Sequence, residues 1–166
     1  MPEKHAELGG SSADRWIRCP GSVALSRSYG PPTENEYMRR GTHAHKLLEL
    51  LVRHHIGENV GRGMQRRTAY SFNGSTLVEG YAPLNEEDCT AVQAAFDWFL
   101  EQWRNAPHST VWVEHFGLLN DRKPDAGGTA DLVLYDPISR TLMVVDYKHG
   151  VGHFVSADTY QLRLYA

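Results

Sequence analysis

The sequence predicts an α/β fold in which a small mixed or antiparallel central sheet is flanked by helices. Three observations carry that expectation: two long stretches with helical spacing of apolar residues, three consecutive strand-like stretches after the second, and a capped C-terminal stretch that reads as a returning helix. Ser11, Ser12 and Asp14 are capping residues for a short helix through Trp16 and Ile17, which Pro20 and Gly21 interrupt before a second turn over Ser22 to Ser26. Ser28 to Thr33 reads as a loop. From Glu36 to Ile56, the residues Tyr37, His45, Leu47, Leu48, Leu51, Val52 and Ile56 follow helical spacing, with Gly41 and Thr42 as an alternative start and Gly57 as the stop. Residues 57–84 read as an insertion, a surface loop or hairpin with strand-like alternation at Ala69 to Phe72 and Thr76 to Tyr81.

Asn85 precedes Glu86, Glu87 and Asp88, a capping residue followed by acidic groups that suit the positive end of a helix dipole. Val92, Ala95, Phe96, Phe99, Leu100 and Trp103 then share one face. The strand candidates are Thr110 to Leu118, Gly128 to Tyr135 and Thr141 to His149, separated by Asn120 to Gly127 and by the turn Asp136-Pro137-Ile138-Ser139. Short connections make them an antiparallel meander. Ser156 caps a last helix over Ala157 to Ala166. The organisation expected is one domain over 1–166: N-terminal helices in 10–56, the insertion, then helix, sheet and C-terminal helix in 85–166.

With 166 residues, 41% hydrophobic and 22% charged, the chain has the apolar content for a core, which excludes disorder and a disulfide-stapled miniprotein. No apolar run approaches the roughly 20 residues of a membrane span, and Met1 to Gly10 lacks a signal peptide's apolar stretch, so no membrane partner and a cytoplasmic location are expected. Cys19 and Cys89 are too few for a four-cysteine cluster and too far apart for a paired-thiolate zinc site; both read as reduced packing residues. A net charge of −3 gives no global positive field, although Arg62, Arg66 and Arg67 bunch locally.

The chemistry concentrates in Gly128-Thr129-Ala130-Asp131 and Asp146-Tyr147-Lys148. Alternation along a strand puts Asp146 and Lys148 on one face, about 6.6 Å apart along the backbone. In an antiparallel pair Asp131 lies beside Asp146, so two carboxylates converge. Adjacent carboxylates repel, and a divalent cation relieves them; hard oxygen ligands select magnesium or manganese. Taken alone, the Asp-x-Lys pattern reads equally as an exposed strand-end ion pair. His45 and Glu49 stand at i and i+4 of the first long helix, and for an isolated histidine the ordinary reading is a core-edge side chain. A zinc site through His43, His45, His54 or His55 is a further alternative, disfavoured because residues two apart diverge on a helix. Gln161 and Tyr165 are also i and i+4, on a helix that alone is ordinarily amphipathic. Trp16 and Arg163 are candidate DNA contacts, with packing and solvated surface as the plainer readings.

In order, Gly41-Thr42-x-x-His45, Gly128-x-x-Asp131, Asp146-x-Lys148 and Gln161-x-x-x-Tyr165 resemble the PD-(D/E)XK nuclease superfamily. The resemblance is closest to its RecB-like exonucleases, especially phage-encoded members with an opening like Arg15-Trp16-x-x-Cys19-Pro20-Gly21-Ser22, and it spans Ser11 to Ala166. It implies a restriction-endonuclease-like core and a magnesium- or manganese-dependent deoxyribonuclease, acting on DNA in recombination or processing and located in the host cytoplasm if phage-encoded. It implies metal ligation by His45, Asp131, Asp146 and the Tyr147 main-chain carbonyl, with Lys148 as catalytic lysine and Gln161 and Tyr165 as active-site support or DNA contacts. Glu114 resembles a carboxylate often found on the preceding strand, and Glu49 is a candidate outer residue. The family's iron–sulfur branches need four cysteines, so that cofactor is not expected here. Relatives usually continue past the Gln-to-Tyr helix, so the sequence reads as a truncated or minimal version. The alternative is a catalytically inactive nuclease-like module that binds DNA or protein. Homo-oligomerisation, cleavage polarity and strand preference stay open.

Overall fold

The computed structural model describes residues 8–30, 33–57, 84–118, 126–150 and 156–165. Among these the chain runs β1 (Leu8–Gly9), a 3-10 turn (Gly10–Ser12), α1 (Ala13–Arg18), α2 (Gly21–Tyr29), α3 (Glu36–His55), α4 (Glu86–Asn105), β2 (Thr110–Leu118), β3 (Ala126–Asp136), β4 (Thr141–Val145) and α5 (Tyr160–Tyr165). The expected hairpin, with Arg62, Arg66 and Arg67, lies outside the described residues, as do 119–125, 151–155 and Ala166.

Helix α3 begins where Asn35 accepts a hydrogen bond from the Met38 N–H at 2.9 Å, so Glu36 is its first residue and the alternative start at Gly41 and Thr42 is overturned. Ala44, Leu47, Leu48, Leu51 and Val52 recur at three- and four-residue intervals and are buried. Helix α4 opens with a full capping box: the Asn85 side chain accepts from the Asp88 N–H, and the Asp88 carboxylate accepts from the Asn85 N–H. Cys89, Val92 and Phe99 of α4 are buried against α3 and the sheet face formed by Val113, Leu132 and Leu134. Phe99 lies between Phe96 and Trp103, at ring separations of 6.2 and 5.9 Å.

The fold is α/β, with a four-stranded mixed sheet flanked by helices among the described residues. β2, β3 and β4 form the expected antiparallel meander, with rungs from Thr110↔Tyr135 to Leu118↔Gly127 and from Asp136↔Thr141 to Leu132↔Val145. The Asp136 carboxylate closes the second hairpin by accepting from the Ile138 and Ser139 N–H groups. The sheet is mixed because β1 adds to it in parallel, Leu8 opposite Ala126 and Gly9 opposite Gly127. Two residues are too short to show a strand period, which is why β1 escapes sequence reading.

Several boundaries are corrected, and β3 begins at Ala126 rather than Gly128. Helix α2 continues to Tyr29 through what reads as a loop from Ser28, and Ser28 turns its hydroxyl back onto the Leu25 carbonyl. β4 ends at Val145 rather than His149, because the Tyr147 N–H is taken by a side chain instead of a neighbouring strand. The last helix starts at Tyr160 rather than Ala157: the Ser156 hydroxyl accepts from the Asp158 N–H in a local turn, and Thr159 takes the capping role. Cys89 lies in the core as expected, and Cys19 is exposed, contrary to a packing role. Among the described residues no helix is long and apolar enough to cross a membrane.

Phe99 is fully buried. Phe99→Ala is expected to destabilise the fold by about 3–5 kcal/mol, read as a lower urea midpoint with an unchanged slope; a midpoint equal to wild type would contradict this packing.

Candidate metal centre

Leu132↔Val145 is the last rung between β3 and β4, so Asp131 and Asp146 stand side by side where the ladder ends. The Asp131 carboxylate takes the place of the next rung by accepting the Tyr147 N–H through Oδ2. Its other oxygen, Oδ1, lies 3.2 Å from His45 Nδ1. A carboxylate only accepts, so Nδ1 donates, and Nε2 is the imidazole nitrogen left to hold a cation. The His45 ring rests against the Tyr147 ring at 5.2 Å.

Asp146 is 9% exposed, and both of its oxygens have partners. Oδ2 lies 2.6 Å from the Lys148 ammonium, which is 45% exposed, and Oδ1 accepts from the Gln161 amide. The expected pairing of Asp146 with Lys148 is therefore present, beyond the strand rather than on it. The Gln161 side chain also acts on the Tyr165 hydroxyl, pulling its pKa down against the rise that burial causes. The Tyr165 ring fills a gap that two glycines leave: a Cβ on Gly10 or Gly128 would come within 2.5 Å of it. Tyr165 thereby clamps α5 onto the start of β3, beside the acidic groups.

Glu114 stands across from Asp131, between the rungs Val113↔Leu132 and His115↔Ala130. Alternation alone groups it with Trp112 and Phe116, which are exposed. The backbone at Glu114 instead turns into the left-handed region, φ +50, and the side chain is half-buried within the fields of Asp131, Glu49 and His45. A non-glycine residue held there costs roughly 1–3 kcal/mol. Glu49 binds Lys46 and Arg53, and Arg53 also donates to the Val113 carbonyl at 2.9 Å, so Glu49 supports the strand beside Glu114 rather than touching His45.

Burial and the negative fields of Asp131 and Glu49 push the Glu114 carboxyl up to about 7. Burial also raises Asp146, against the pull of Lys148. Burial opposes charge on His45, but its hydrogen bond to Asp131 and the fields of Asp131, Glu114 and Asp146 outweigh that, so its pKa is raised. Carboxyl groups pushed upward by burial and by one another's charge are undercompensated for negative charge. The carboxylate oxygens are hard ligands of the kind that magnesium and manganese take, and they stand beside one imidazole nitrogen. Among the described residues no group of three or more His, Cys, Asp or Glu side chains is spaced to hold a metal ion as it stands. Here Lys148 and Gln161 occupy the oxygens of Asp146, and His45 and the Tyr147 N–H those of Asp131.

The zinc alternative gains no support from geometry. His45 faces Asp131, His55 sits edge-on to Phe96 and Trp103, and His54 is exposed. Trp16 donates to the Gly9 carbonyl and Arg163 pairs with Asp158, so both have structural partners. Sequence reading missed three residues behind the site, Arg40, Asp88 and His149. Asp88 was legible as a helix-start acid, but no local signal announces that it is buried beneath the site. A cavity of about 470 Å³ opens beside Asp146, Lys148 and Gln161, walled by Trp98, Met143 and Leu162.

A family model described as "Protein of unknown function (DUF2800)" matches residues 5–166. No solved structure matches the chain.

The raised acids set a pH dependence. Folded Glu114 keeps a proton that the unfolded chain has released above the ordinary carboxylate range, so stability falls as pH rises toward about 7. His45 acts in the same direction, its contribution being lost as pH rises through its raised value. The urea midpoint is expected to decline between pH 5 and 8, and Glu114→Gln to flatten that decline. An unchanged slope in Glu114→Gln would refute the shift at this residue.

Proposed function

The chain belongs to the DUF2800 family, proteins of unknown function, and we propose that this member is a divalent-metal-dependent deoxyribonuclease that hydrolyses DNA phosphodiester bonds. The observation that carries this reading is the meeting of His45, Asp131, Asp146 and Lys148 at the end of the β3–β4 ladder, with acid pKa values pushed up. The resemblance of the four motifs to the PD-(D/E)XK nucleases supplies the substrate class, and its RecB-like branch the finer reading of a phage-type exonuclease in DNA recombination or processing.

His45, Asp131, Asp146 and the Tyr147 carbonyl would hold a magnesium or manganese ion, with Glu114 as a further carboxylate. When bound, that ion supplies Lewis acidity toward a phosphate oxygen and makes a water more acidic. The rest falls to the protein. Lys148, half exposed on its Asp146 anchor, presents an ammonium to a phosphate oxygen as negative charge grows there and orients the attacking water. Gln161 fixes Asp146, and Tyr165 fixes the helix that carries Gln161. The cavity beside Lys148 supports this reading as a place where a DNA strand would lie. Strain at Glu114 fits the same reading, since backbone strain gathers at functional sites.

A second reading, a nuclease-like module that binds DNA or protein without turnover, is favoured by the protein partners that both Asp146 oxygens already have. Mobility-shift binding of DNA in calcium, with no cleavage after manganese is added, would select it.

On the leading reading, linear DNA is degraded only with magnesium or manganese, and Asp131→Ala, Asp146→Ala and Lys148→Ala each lower the rate by about 100-fold or more, measured by release of acid-soluble nucleotides. Wild-type cleavage by Asp146→Ala would defeat it.

A further inference from the structure

Past Val145 the chain leaves the ladder, and residues 146–149 are fastened by side chains. Lys148 and Gln161 hold Asp146, and Asp131 holds the Tyr147 N–H. A fourth fastening comes from beneath. The His149 side chain is 7% exposed; its Nδ1 lies 3.0 Å from the Tyr147 hydroxyl and its Nε2 lies 2.9 Å from Asp88 Oδ1. Because a carboxylate only accepts, Nε2 donates to Asp88, and a neutral imidazole then accepts the Tyr147 hydroxyl at Nδ1.

Asp88 is 3% exposed, the one charged residue buried among the described residues. Arg40 of α3 grips it twice, Nε to Oδ2 at 3.1 Å and Nη2 to Oδ1 at 2.6 Å, and the Asn85 N–H adds a bond at 3.2 Å. The chain Arg40, Asp88, His149, Tyr147 thus links α3, the start of α4 and the exit of β4. It returns to α3 where the Tyr147 ring meets His45.

Resting on the metal-centre reading above, we propose that Asp88 and His149 are positioning residues of that centre: they fix the Tyr147 side chain, and through it the Tyr147 main chain and the His45 imidazole against Asp131. A capping box at α4 needs only Asn85 and an acid at position 88, and an exposed acid would serve. Burying that acid under an arginine and a histidine costs desolvation that apolar packing would avoid. What the polar chain adds is direction. Tyr147 is held at three separate points: its N–H by Asp131, its ring against His45 and its hydroxyl by His149. Losing the hydroxyl bond frees the ring to rotate away from His45 and loosens the peptide whose carbonyl is a proposed ligand. Removing groups that orient ligands in this way typically costs about 10- to 100-fold in metal affinity or activity.

The test uses the full chain with two readouts. Without metal, amide exchange at Tyr147 is expected to quicken at least about tenfold in Tyr147→Phe and His149→Ala, while Leu132 and Leu134 in the middle of β3 keep wild-type rates. Tyr147→Phe retains the buried ring and so secures a folded variant. Manganese affinity, titrated by the ion's electron paramagnetic resonance, is expected to fall about 10- to 100-fold in both variants and in Asp88→Asn. The losses from Tyr147→Phe and His149→Ala should not add in the double variant. His149→Asn, which returns a polar group near the Nδ1 position, should recover part of the loss. Unchanged Tyr147 exchange in both variants overturns the proposal, as does a quickening that Leu132 and Leu134 share equally, which reports general loosening. Wild-type manganese affinity in His149→Ala overturns its functional half. A wild-type protein that binds no manganese sinks the metal-centre reading instead, and the exchange data still decide whether Asp88 and His149 position Tyr147.

Discussion

One carboxylate decides how the chain leaves its sheet. Asp131 accepts the Tyr147 N–H in place of a further β rung and turns its other oxygen to His45. Hydrogen bonds to a charged group contribute about 1.5–3 kcal/mol each, and an unpaired carboxylate at this depth would cost more than either bond returns. The ladder therefore ends at Val145, and the next three residues carry their side chains to the site instead of along a strand. Helix α3, the hairpin and the exit segment are tied at one oxygen pair.

The site is crowded with like charge for its degree of burial. Asp131, Asp146, Glu114 and Glu49 act on one another, and the cations at hand, Lys148, Lys46 and Arg53, are themselves partly exposed. A core built for stability alone would replace such a group with apolar side chains. The left-handed backbone at Glu114 is a second cost at the same place. Electrostatic and conformational strain coincide at one end of the sheet, the pattern expected where stability is traded for function.

Two elements serve the fold and the site together. The first turn of α4 caps its own helix through Asn85 and Asp88, and the same Asp88 receives Arg40 and His149. Tyr165 closes the packing over Gly10 and Gly128 while its neighbour Gln161 fixes Asp146. A change at either place is felt in both, so stability and site geometry are coupled here by shared atoms and not by proximity alone.

The two long helices, the meander and the acid–lysine pattern were legible in the residues because each rests on local rules: capping at Asn35 and Asn85, apolar spacing along α3 and α4, and turn chemistry at Asp136. The meeting of Asp131 with Asp146 also follows from strand register, which short connections determine. Tertiary structure decided what local rules leave open. It added β1, whose two residues carry no period, and ended β4 early because a side chain outcompeted the ladder for one N–H. It turned Glu114 against its alternation, and it buried Asp88 with Arg40, 48 positions away, and His149, 61 positions away. Local sequence determines which backbone a segment favours; which polar groups must share a dry interior depends on partners that only the folded chain brings together.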